Sequence, residues 1–243
     1  MITPKQIADV TMTPEKKAMA RNDFFAFYVG RPLSYLLTIP FLYLPLTPNQ
    51  VSMISIIPLI VGSVVMYIGE NTLTFIAGWL CFFLWNLLDG VDGNMARYRK
   101  QFSRMGSVWD AMAGYVAMVL QPLSWGIAAS HNVGYFQTCI QLPVDLYTVL
   151  GALSGVCAIF PRLVMHKTIS TLGHTRSTDA VKDKSKFSLI KVVMLNLTSN
   201  TGFMQVFMLL SIFVCAFDAF TLSYFMLNGI VMLGALYRIF KNN

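Results

Sequence analysis

The chain has 243 residues, 56% hydrophobic and 12% charged, with a mean hydropathy of +0.60 and a formal net charge of +7. A soluble globular domain carries about 25% charged residues, so this composition excludes a soluble enzyme or binding module and predicts an all-α integral membrane protein with one compact domain. The basic balance suits membrane orientation, and no nucleic-acid partner is expected.

Met1 to Asn22 is polar and lacks the apolar segment of a signal peptide. Its Lys5, Lys16, Lys17 and Arg21 leave two readings open: a solvated tail, or an amphipathic helix lying on anionic lipid. Residues 24–46 are aromatic and apolar but interrupted by Pro32, Pro40 and Pro45, which predicts a short interfacial helix around Leu33 to Ile39. Thr47-Pro48-Asn49-Gln50 reads as a helix start, with a capping threonine, proline at the first helical position and glutamine closing a capping box. Six spans are then predicted. They cover about Val51–Ile68, Leu73–Leu88 (continuing as helix), Gly106–Ala128, Leu146–Val164, Phe203–Phe217 and Leu222–Tyr237. The fifth is short and is expected to begin earlier, and residues 188–198 read as another interfacial helix. Residues 129–143 form a polar loop, and 165–187 are polar and basic. Of the four cysteines (Cys81, Cys139, Cys157, Cys215), three lie inside apolar runs and read as packing residues.

With six spans both termini share one side of the membrane. All 18 Lys and Arg fall on that side, and the opposite loops carry none. Positively charged loops face the cytoplasm, so both termini and the segment after the second span are expected there, in a bacterial inner membrane.

The chemistry concentrates between Asp89 and Gly114. Asp89 and Asp92 lie three apart on one helical face, followed by Gly93, Ala96 and Arg97, then by Gly106 and Asp110 on the next helix. Ionised carboxylates near the bilayer are costly, by about 2.5–3.5 kcal/mol each at its centre. A hard divalent cation, which takes carboxylate and phosphate oxygens, would compensate. Asp89, Asp92 and Asp110 are therefore the candidate metal ligands. Gly93, Ala96 and Gly106 keep the helix surfaces low, and Arg97 presents a fork of donors suited to phosphate.

This spacing resembles the signature of the CDP-alcohol phosphotransferase (CDP-alcohol phosphatidyltransferase) family, D-x-x-D-G-x-x-A-R-x8-G-x3-D-x3-D. Asp89, Asp92, Gly93, Ala96, Arg97, Gly106 and Asp110 fall in register, and Gly114 stands where the family has its fourth Asp. The stretch from Arg31-Pro-Leu-Ser to Thr47-Pro-Asn-Gln-Val-Ser52 is similar to the family's lead-in. The resemblance implies an N-terminal cytoplasmic or interfacial segment over residues 1–46 and a six-helix domain over 47–243. It implies transfer of a phosphoalcohol group from a CDP-alcohol to a hydroxyl acceptor with release of CMP, in phospholipid or related phosphoalcohol-conjugate synthesis. One of the two substrates would be a lipid, the cofactor Mg²⁺ or Mn²⁺ (two ions, or one given Gly114), and the assembly a homodimer. By the same resemblance Asn49 approaches the nucleotide.

In the family pattern the fourth Asp helps hold the metals and takes the proton of the attacking hydroxyl, which Gly114 cannot do. His166 and Asp183, in the stretch after the fourth span, are candidate replacements for the base. Arg162, Lys167 and Arg176 are a candidate site for a phosphate on the acceptor or on a lipid headgroup. The alternative is a catalytically impaired homologue that binds a CDP-alcohol or acts as a scaffold.

Overall fold

The computed structural model describes residues 2–132, 134–173 and 188–241, and the described residues form helices joined by short links. Two Thr-Pro steps open the chain. Thr3 caps α1 (Pro4–Thr11) in a capping box with Gln6, and Thr13 caps α2 (Pro14–Ala20). The N-terminal segment is not a solvated tail, because Ile7 and Thr11 of α1 are buried against the helices that follow.

A π-helical turn, Ala26–Gly30, runs directly into α3 (Arg31–Tyr43). This helix is longer than the predicted Leu33–Ile39. Pro32, which donates no N–H, directly follows the π-helical turn, and Pro40 falls near the end of α3. Arg99 caps this end, its guanidinium donating to Leu42 O at 2.8 Å, Leu44 O at 3.0 Å, Phe41 O at 3.2 Å and Leu46 O.

The membrane body follows. It comprises α4 (Pro48–Ile68), α5 (Thr72–Tyr98), α6 (Gly106–His131), the short α7 (Tyr135–Ile140) and α8 (Val144–Leu172). After these come α9 (Leu189–Thr198), α10 (Phe203–Phe213) and α11 (Phe217–Lys241). Among the described residues five helices are long and apolar enough to cross a membrane, and α9 with α10 forms a further apolar segment bent by 52° at its break, a broken span or a re-entrant turn. The chain is an integral membrane protein. The predicted capping box at Thr47 is present, with Thr47 N donating to Gln50 Oε1 at 2.8 Å.

Three expectations change. Residues 188–198 hold α9, which pairs with α10 across a short break as one bent apolar segment and so is not a separate element from the short fifth span. The polar loop at 129–143 is largely helical, because α6 runs to His131 and α7 follows. Cys215, read as a packing residue, is exposed in a left-handed turn (φ 51°) between α10 and α11.

Side-chain hydrogen bonds tie the bend to its neighbours. Asn196 donates to Asn22 O at 2.6 Å and accepts from Phe24 N at 2.8 Å, while Ser199 donates to Asp23 at 2.7 Å. Asn200 donates to Gln121 at 3.0 Å. The bend thus clasps the link between α2 and α3.

Small residues bring the helices close. A Cβ on Gly126 would lie 2.4 Å from Tyr147 O, and one on Gly151 2.5 Å from Pro122 O, so α6 and α8 touch backbone to backbone. Around this seam Phe75, Phe82, Trp85, Trp125, Phe217 and Phe220 form an aromatic core. A second cluster, Val51, Leu88, Val91 and Met95, joins α4 to α5 behind the acidic motif.

Candidate functional site

The site is built where the start of α4, the end of α5 and the start of α6 converge. α5 stops at Tyr98, and Lys100 takes a left-handed conformation (φ 54°) while Gln101 N bonds Ala96 O at 2.9 Å. This is the geometry of a helix C-terminal reversal. It turns residues 101–105 back over α4 and sets Gly106 at the start of α6.

Asn49 holds that reversal. Its Nδ2 donates to Ser103 Oγ at 3.0 Å, and Ser103 Oγ lies 3.2 Å from Asn49 Oδ1. A Cβ on Gly106 would stand 3.2 Å from Ser103 Oγ and 3.5 Å from Asn49 Oδ1, so side-chain bulk there would press on the bridge.

The convergence encloses a cleft of about 320 Å³. Seven of the predicted residues line it: Asn49, Asp92, Gly93, Ala96, Arg97, Gly106 and Asp110. Asp92 is buried and Asp110 exposed. Ser52 lines the cleft one turn into α4, and its hydroxyl donates to Asp92 Oδ2. Sequence reasoning assigned Ser52 no role. Its hydroxyl can be recognised as a partner only once α4 lies against α5. On the far side of α5, Asn94 donates to Thr38 Oγ1 at 3.2 Å and Ser34 Oγ at 3.3 Å, tying the motif helix to α3.

Arg97 folds over Gly93, where a Cβ would come within 2.8 Å of Nη2. Its Nη2 donates to Asn94 Oδ1 at 3.3 Å, while its buried Nε has no hydrogen-bond partner. The N-terminal segment adds a residue that the sequence did not single out. Lys16 of α2 is half-buried in the field of Arg31 and Arg97. Burial first, and then these two positive neighbours, push its amine down to about 7.

Asp89 is half-buried and outside the cleft lining. It shares one electrostatic neighbourhood with Asp92 and Asp110 and also lies in the field of Arg162. Among the described residues, no three His, Cys, Asp or Glu side chains converge closely enough to hold one metal ion. The donor chemistry nevertheless fits a divalent cation. Three carboxylates on two neighbouring helices repel one another, and Asp89 and Asp110 have no hydrogen-bonding partner among the described residues. Their oxygens are the ligands such an ion takes.

A Cβ on Gly114 would meet nothing within 4 Å. Beside it, Tyr115 OH lies 3.0 Å from Nδ1 of His166 on α8. Arg162, one turn earlier on α8, acts electrostatically on both Tyr115 and Asp89. Arg162, His166 and Lys167 are exposed and do not line the cleft. Arg176 and Asp183 lie outside the described residues.

A family model described as CDP-alcohol phosphatidyltransferase matches residues 45–217. No match is found among curated proteins.

Proposed function

This chain belongs to the CDP-alcohol phosphatidyltransferase family, and we propose on that premise that it transfers a phosphoalcohol group from a CDP-alcohol to a hydroxyl acceptor. The acceptor oxygen forms a bond to the β-phosphorus. The bond from that phosphorus to the bridging oxygen breaks, and CMP leaves with the bridging oxygen. One reactant is a lipid entering from the bilayer. The protein works as a homodimer in a bacterial inner membrane, and the charge bias of the loops supports a cytoplasmic cleft.

The observation that carries this reading is the meeting of six motif residues and Asn49 around one cleft, with the Asp92 carboxylate held by Ser52. Gly93, Ala96 and Gly106 leave room for the nucleotide, Asn49 and Ser103 steady its rim, and Arg97 offers N–H donors to the diphosphate. Asp89, Asp92 and Asp110 would hold Mg²⁺ or Mn²⁺, as two ions or as one in the absence of a fourth carboxylate. When bound, the metal neutralises the diphosphate and stabilises charge on the departing CMP.

The acceptor proton needs another destination than residue 114. The Tyr115–His166 pair, adjacent to that position, is the group we assign: the phenol passes a proton to the imidazole as it takes one from the acceptor. Arg162 and Lys167 lie on the same helix as His166, and with Arg176 they are the proposed contacts for an anionic acceptor or headgroup.

The test is CMP release in liposomes containing Mg²⁺ or Mn²⁺, a panel of CDP-alcohols and lipid extracts. Release that is lost in Asp92→Asn is the expected result. The open space at Gly114 supports a second reading, a protein that binds CDP-alcohol without turnover. Binding without release, with release appearing in Gly114→Asp, would establish that alternative. Failure to bind any CDP compound would overturn both.

A further inference from the structure

We propose that Lys16, Arg31 and Arg97, carried by α2, α3 and α5, form a binding site for a phosphoryl group beside the proposed nucleotide cleft. The ligand class is an anionic phosphate, either a free phosphate monoester or the phosphate of a lipid headgroup.

Three half-buried cations, each from a different helix, share this corner. Long basic side chains at a membrane surface ordinarily swing outward to water or headgroups. Here Lys16 stays in the field of Arg31 and Arg97, and Arg97 in that of Arg31. The acids acting on Arg97 are Asp92, already bonded to Ser52, and Asp110; Tyr35 of α3 also faces it. Arg97 keeps a buried Nε with no partner, an arrangement that costs stability unless a ligand completes it. Around Lys16 on its own helix, Glu15 and Lys17 are exposed.

Lys16 is held there from both ends. Upstream, α1 docks on α3 and α5 through Ile7 and Thr11. Downstream, Asn22 and Asp23 are bonded to Asn196 and Ser199 at the α9–α10 bend. The α2 segment is thus a strap fastened on either side of the site, and it delivers one cation to it. An oxyanion would relieve the mutual repulsion of the three groups and accept their free N–H donors. Arg97 also lines the nucleotide cleft, so the bound phosphoryl would lie next to the CDP-alcohol.

The experiment reads the reactivity of Lys16 itself. The full chain is placed in phosphatidylcholine nanodiscs at pH 7 and treated with an amine-acylating reagent. Labelling of Lys16 is followed by mass spectrometry relative to Lys5 and Lys17. Parallel samples contain inorganic phosphate, phosphatidylglycerol in place of phosphatidylcholine, or CDP-glycerol. A bound phosphate that raises the Lys16 midpoint by about one pH unit slows its labelling about fivefold. Arg31→Gln should remove most of that protection.

Slowing by inorganic phosphate identifies a free phosphate as ligand. Slowing in phosphatidylglycerol alone identifies a headgroup. Unchanged labelling in both overturns the proposal, even if CDP-glycerol protects Lys16, because the three cations would then serve the nucleotide cleft alone. CMP release measured on the same nanodiscs reports separately on the transferase reading.

Discussion

The two ends of the motif differ in how completely they are built. Around Asp92 several side chains are pinned: Ser52 to the carboxylate, Asn49 to Ser103, Asn94 to Ser34 and Thr38, and Arg99 to four carbonyls at the end of α3. Around Gly114 there is open space, bounded by one exposed Tyr115–His166 contact. A cleft cross-linked from three helices is preorganised for the diphosphate we propose it holds. On the same proposal, the open region beside Gly114 leaves room for acceptors of different shape, and its reactivity depends on whichever group takes the proton.

That contrast can be broken most strongly at its rigid end. Asp92→Asn removes charge from the centre of the cleft and should lower CMP release by at least about a thousandfold, measured under saturating CDP-alcohol. Gly114→Asp tests the open end. The new side chain has room at its Cβ, and a positioned carboxylate base contributes about 10²–10⁴-fold. Release should therefore rise, and Mn²⁺ binding should tighten. His166→Ala should reduce release by about tenfold to a hundredfold in the unmodified chain but by much less with Gly114→Asp also present. Equal losses in both backgrounds would show that His166 supports structure and does not take the proton.

Smaller effects sharpen the comparison. Arg99→Ala leaves the carbonyls at the end of α3 without their donor and should cost about 1.5–3 kcal/mol of stability, read by denaturation in detergent. Sulfate, whose charge does not change near neutrality, should bind the Lys16 corner with a pH dependence of definite sign. With the amine pushed down to about 7, the third positive charge is present below pH 7. Affinity should be full there and fall as pH rises through 7, and Lys16→Gln should flatten that profile.

The legible part of this protein is the part written locally. Asp89, Asp92, Gly93, Ala96 and Arg97 occupy two turns of one helix, and Gly106 and Asp110 one turn of the next, so spacing alone puts them on shared faces. Apolar run lengths set the long spans, and Thr47-Pro48-Asn49-Gln50 marked the start of α4 because a capping box is built from neighbours. The pairing of Ser52 with Asp92 crosses 40 residues, and that of Tyr115 with His166 crosses 51. Neither has a local signature. Arg99 looked like ordinary positive-inside charge until its carbonyl partners were brought to it.

The bent segment marks the same boundary. Its two halves are each too short to span, and Asn196, Ser199 and Asn200 tie the bend between them to the N-terminal link and α6. The sequence by itself determined the membrane class, the long helices and the acidic motif, because apolar length, capping and helical spacing act over a few turns. Tertiary structure decided what surrounds that motif. It brought in Ser52, left space beside Gly114, and drew Lys16 from the first helices into the field of Arg97, since those contacts depend on how distant helices pack.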